Sequence, residues 1–211
     1  MKHALFRTAA VTLAGLITTA QAQDGTLRAW LEAPETISAG DTATVTAWVS
    51  FESDVFNMDE AFFGTMLTSI TVEAGGNLVR SFSTAYGDYV AQNGSSNANG
   101  VFDIWAWQPG LWAFNKSINT NLVIAAFSFD VETQAEITGM VQLGFDHWTN
   151  DPDGSPYLAW NLDFDQADIF VDSTMSNIET SFEPLTIHVI PAPGVAALLM
   201  FTGLCAPRRQ R

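Results

Sequence analysis

The chain has 211 residues, 47% of them hydrophobic and 12% aromatic with only 15% charged, a composition that supplies a core and excludes a disordered polymer. All 23 acidic residues fall between Asp24 and Glu183, where Arg28, Arg80 and Lys116 are the only basic ones, so this stretch carries a net charge of −20 and excludes nucleic acid as a partner. The single cysteine, Cys205, lies beyond it, which excludes an internal disulfide, a thiolate metal cluster and a cysteine nucleophile.

Residues 1–22 read as a signal peptide: Lys2 and Arg7 lead into an apolar run, and Ala20-Gln21-Ala22 supplies the small residues of a cleavage site, with cleavage expected after Ala22. Residues 23–189 then read as one domain. Leu27, Ala29 and Leu31 alternate with polar neighbours, and residues 34–41 form a turn-rich connection. The clearest strand follows, with Val45, Ala47, Val49 and Phe51 on one face and Thr44, Thr46, Trp48 and Ser50 on the other. Residues 54–63 have room for one helical turn. Further strands are expected at 66–73, 78–84, 101–107, 122–132, 137–145, 157–162, 168–171 and 185–190. In 122–132 the inner face is read as Val123, Ala125, Phe127, Phe129 and Val131, whereas residues 92–100 lack apolar anchors and are read as a mobile loop. No segment sustains a helical stripe over three turns. The expected class is therefore all-β, a two-sheet antiparallel sandwich such as a jelly roll, with barrel closure as the alternative and a signal helix and tail helix at its ends.

Few residues are suited to chemistry. The domain offers only His147 and His188, with no paired-histidine or paired-cysteine spacing, so zinc catalysis is not expected. His188 is placed on a solvent-facing strand position and His147 beside Asp146 as a surface hydrogen-bonded pair; no G-x-S-x-G elbow accompanies them. The turn around Asp151 and Asp153 uses Asp and Gly either for their backbone angles or as hard oxygen ligands for calcium, the only cofactor the sequence suggests. Trp105, Trp107, Trp112, Trp148 and Trp160 cluster in the middle and second half, and most belong in a core. In 101–107, Val101, Asp103, Trp105 and Trp107 share one parity, which makes Trp105 and Trp107 a candidate ligand platform. A chance pair among 23 acids could meet the spacing of glycoside hydrolysis and is not evidence for it.

The chain closes with Pro191-Ala192-Pro193-Gly194, an uncharged run from 195 to 206, and Arg208, Arg209 and Arg211 as a basic stop. This three-part tail, residues 190–211, resembles the PEP-CTERM sorting signal of Gram-negative bacteria, with Ala192 standing where the namesake motif has Glu and Pro207 interrupting the approach to the arginines. The resemblance implies recognition by an exosortase-type enzyme, passage through the cytoplasmic membrane, and a destination in the cell envelope or extracellular matrix. A second, fainter resemblance joins residues 33–51, with a Gly40-Asp41 turn before a strand, to the Phe127-Ser128-Phe129 run; it is similar to the cohesin-like sandwiches of exported proteins. The expected function is a non-catalytic exported surface or matrix protein, its partners the sorting enzyme, the membrane, and polysaccharide or other surface proteins. The alternatives are a carbohydrate-binding module on the same tail and a small secreted glycoside hydrolase.

Overall fold

The computed structural model describes residues 23–108, 119–149, 154–163 and 169–193. The signal segment with Ala20 and Ala22, Trp112, the acidic turn with Asp151 and Asp153, and the tail from Gly194 through Arg208, Arg209 and Arg211 lie outside the described residues. Among the described residues thirteen strands run in chain order: β1 (Gly25–Glu32), β2 (Thr36–Ser38), β3 (Thr42–Glu52), β4 (Phe62–Ala74), β5 (Val79–Phe82), β6 (Val90–Asn97), β7 (Gly100–Trp107), β8 (Val123–Thr133), β9 (Gly139–Asp146), β10 (Tyr157–Asn161), β11 (Phe170–Asp172), β12 (Ile178–Glu183) and β13 (Leu185–Ile190). A 3-10 turn, Gly76–Leu78, precedes β5, and no helix among the described residues is long and apolar enough to cross a membrane.

The strands form two sheets. One has the order β12-β1-β3-β8-β5; the other joins β11-β10-β4-β9-β13-β2, with β7 on the far side of β4 and β6 outside β7. Their inner faces enclose a single core in which Phe51, Phe63, Phe127, Phe129 and Trp160 are fully buried. Within it Trp160 packs against Phe51 and Phe63 at ring-centroid distances of 6.2 and 5.9 Å. Pairing is antiparallel except at two places, β1 with β12 and β2 with β13, which corrects the expectation of a wholly antiparallel sandwich. These parallel contacts arise because both end segments change sheet: β1 passes to β2 through Ala33, Pro34 and Glu35, and β12 to β13 through Pro184 alone. Proline has no N–H to give a ladder, so a corner between sheets accommodates it where a strand interior would not.

Three further expectations are corrected. Residues 92–100 are not a loop: most of them form the edge strand β6, whose backbone pairs with β7 from Val90↔Ala106 to Asn97↔Gly100. Residues 54–63 hold bends and no helical turn; Ser53 Oγ accepts the N–H of Val55 and of Phe56 there instead. The inner face of β8 is not one unbroken parity, because Ala47 pairs with Phe127 and Trp48 with Ala125, leaving Ala126 as an extra residue. That bulge turns Val123 and Ala125 outward and buries Ile124, Ala126 and Phe127.

Candidate functional site

The candidate site lies on the outer face of the larger sheet and depends on a second bulge. Along β7, Ile104 pairs with Thr68 and Val101 with Ile70, so Phe102 and Asp103 together face Ser69. One added residue reverses the alternation. Val101 is buried before the bulge, Ile104 and Ala106 are buried after it, and Trp105 and Trp107 are directed outward. Strict period two would have turned both tryptophans to the same side as the fully buried Val101, so the shared parity read from the sequence does not hold across the strand. Asp103 sits at the bulge with φ 60°, a left-handed conformation that Asp tolerates better than most side chains.

Hydrogen bonds hold the bulge from several sides. The Asp103 N–H donates to Ser69 Oγ (3.2 Å), and the Asp103 carboxylate accepts the N–H of Thr149 (2.8 Å). Gln92 Nε2 on β6 donates to the Asp103 carbonyl (3.1 Å). Ser69 is buried and its hydroxyl donates to the carbonyl of His147 (2.8 Å), while Thr68 Oγ1 donates to the carbonyl of Asp146 (2.9 Å). His147 Nδ1 lies 2.7 Å from Asp146 Oδ1. Serine, histidine and aspartate thus meet here without forming a nucleophilic triad, because the Ser69 hydroxyl is directed to a backbone carbonyl and the imidazole partners its own neighbour. His188 is exposed on β13, where the alternation of the sequence placed it.

The two indoles stack with centroids 6.0 Å and planes 28° apart, and Trp105 is 38% exposed. Trp105 Nε1 donates to Thr65 Oγ1 (3.0 Å), which donates in turn to the Ala106 carbonyl (3.1 Å), so the ring is pinned by its polar edge. Strand register extends the face across three strands: Trp105 lies opposite Leu67 and Leu67 opposite Tyr157, while Trp107 lies opposite Thr65 and Thr65 opposite Ala159. At about 4.8 Å per strand the face spans roughly 10 Å. Tyr157 Oη donates to Asp172 Oδ2 (3.3 Å), and burial, then the adjacent Asp172 charge and this hydrogen bond, push the phenol up to about 12. Tyr157 therefore stays a neutral donor across the physiological range.

Other places with chemistry-bearing side chains differ in character. A hollow of about 290 Å³ gathers Asp24, Glu52 and Asp54 where β1 begins and β3 ends, but no aromatic ring lines it, and Asp24 Oδ2 already accepts from Asn177 Nδ2 (2.6 Å). Among the described residues no group of three or more His, Cys, Asp or Glu side chains is arranged to hold a metal ion. Sequence reading missed a second aromatic pair, Trp30 on β1 opposite Trp48 on β3, with centroids 6.4 Å and planes 15° apart. The Arg28 guanidinium lies 5.0 Å above Trp30 and forms a bidentate pair with Glu183 (2.5 and 2.7 Å). The signal was present, since Trp30 and Trp48 both fall out of phase with the buried parity of their strands.

Fold and site together describe an aromatic-faced β-sandwich. No protein-family model and no curated protein matches the chain. Among solved structures it bears a faint resemblance to a cohesin module from a family 33 glycoside hydrolase of Clostridium perfringens, at TM-score 0.45 and 8% identity over 81% of this chain and 99% of that one. AvmM, which catalyses macrocyclization in alchivemycin A biosynthesis, is similar at TM-score 0.31 and 10% identity over 79% of this chain and 90% of that one.

Proposed function

We propose that this chain is a non-catalytic exported protein of the cell envelope or extracellular matrix, and that its β-sandwich recognises saccharide through the Trp105 and Trp107 face. The observation that carries the reading is the outward, stacked indole pair, with Trp105 exposed and pinned by its polar edge to Thr65. An exposed indole presents an apolar, electron-rich face to the C–H surface of a sugar ring. A domain with so little basic charge repels acidic polymers, so the favoured ligand is a neutral glycan.

Export and sorting rest on the two ends of the sequence. The tail that resembles a PEP-CTERM signal begins where β13 stops, and the exposure of Pro191 and Pro193 supports access by an exosortase-type enzyme. Two measurements test the proposal. Intact-mass analysis of protein recovered from its native envelope is expected to give a species starting at Gln23 and ending near residues 191–194; one retaining Arg211 identifies a simple membrane anchor instead. Calorimetric titration with neutral oligosaccharides is expected to show binding that Trp105→Ala weakens by about tenfold or more. Unchanged affinity in that variant removes the platform.

A further inference from the structure

Trp48 does more than stack on Trp30. It forms one wall of a pocket of about 440 Å³ beside β8, where the chain from Gly87 to Tyr89 crosses from β5 toward β6. That volume falls within the range of small-molecule sites. The lining is mixed: Trp48 and Tyr89 supply aromatic surface, and Asp88, Asn119, Asn121 and Ser128 supply polar groups. Two of these are already committed, since Asn119 Nδ2 donates to Tyr89 Oη (3.0 Å) and Ser128 Oγ pairs with Thr46 Oγ1 (3.0 Å). Asp88 and Asn121 are exposed, and their side chains have no protein partner among the described residues. An indole wall beside a free carboxylate and a free carboxamide suits a ring with one apolar face and adjacent hydroxyls: the carboxylate accepts from two O–H groups, and the carboxamide both donates and accepts.

We infer that this pocket is a second saccharide site, separate from the Trp105 face. Its ligand class, a neutral sugar, rests on the reading given above for the domain; its existence rests on the pocket and on the unpartnered Asp88 and Asn121. Two separate sites make the domain bivalent, able to join two glycan strands.

The test is native electrophoresis of the full chain through gels cast with a neutral β-glucan, a mannan or a galactan. Four proteins are compared: the wild type, Trp105→Ala, the pair Asp88→Ala with Asn121→Ala, and all three changes together. Asp88 and Asn121 are exposed, so their removal leaves the core intact. Retardation of the wild type by at least one polymer is expected, with apparent affinity lowered about tenfold by Trp105→Ala and again by the Asp88/Asn121 pair, and abolished by the triple change. If the Asp88/Asn121 variant runs as the wild type and Trp105→Ala alone abolishes retardation, the pocket is not a site and the platform stands. If Trp105→Ala runs as the wild type and the pair abolishes retardation, the pocket stands and the platform falls. A wild type unretarded by all three polymers overturns both.

Discussion

At the scale of single residues, Asp103 decides which way the tryptophans point. Its positive φ is tolerable for Asp or Asn and poor for a β-branched residue, while its carboxylate ties β7 to Thr149. Asp103→Asn should leave stability near that of the parent, whereas Asp103→Val should lower it by about 1–3 kcal/mol and shift the indole emission, as read by urea denaturation and fluorescence. Tyr157 gives a prediction in pH. Its folded pKa of about 12 exceeds the ordinary 10, so its contribution to stability is complete below pH 10 and is lost as pH rises toward 12. Tyr157→Phe should flatten the fall of the urea midpoint across that window. Neither role was legible in the sequence, because a bulge at Asp103 and a buried partner at Asp172 are set by the strands on either side. His188 was legible, since its neighbours Ile187 and Val189 alternate cleanly into the core.

At the scale of elements, period two located most strands and failed where a strand changes parity. β3 buries Val45, Ala47, Val49 and Phe51 as its alternation requires, but β7 and β8 each carry one extra residue, and a single sequence holds no mark of which residue is extra. β6 and β12 were not read as strands for a different reason. Neither has a continuous apolar face; β6 is Val-Ala-Gln-Asn-Gly-Ser-Ser-Asn, and its strand form comes from backbone pairing to β7. Gly94 makes that pairing feasible. It holds φ 76°, and a Cβ placed there would stand 2.4 Å from the carbonyl oxygen of Phe102. Gly94→Ala should therefore loosen β6 from β7 at a cost of about 1–3 kcal/mol. Hydrogen exchange should report it as lost protection confined to the β6 and β7 amides, with β1 and β3 unchanged.

At the scale of the whole molecule, charge and topology set the behaviour. A domain with 23 acids and three basic residues repels itself, so raising salt from about 0.01 M to about 0.15 M should raise the melting temperature by screening that repulsion. The exposed Arg28–Glu183 pair weakens over the same interval, and a net rise means that the general repulsion outweighs it. The two-sheet class was legible because it follows from many short alternating segments. The sheet-switching ends were not, since β2 is three residues long and β12 is polar on most positions. Those ends run side by side in the same direction, six registered pairs between β1 and β12 and three between β2 and β13. Gly25 therefore starts at one end of the sandwich and Ile190 stops at the other. A pull applied between residues 23 and 191 runs along both segments and loads their rungs together in shear, so that none can be opened before the rest. Single-molecule extension should register a higher rupture force along that axis than when the same domain is pulled from β6, whose bonds unzip singly.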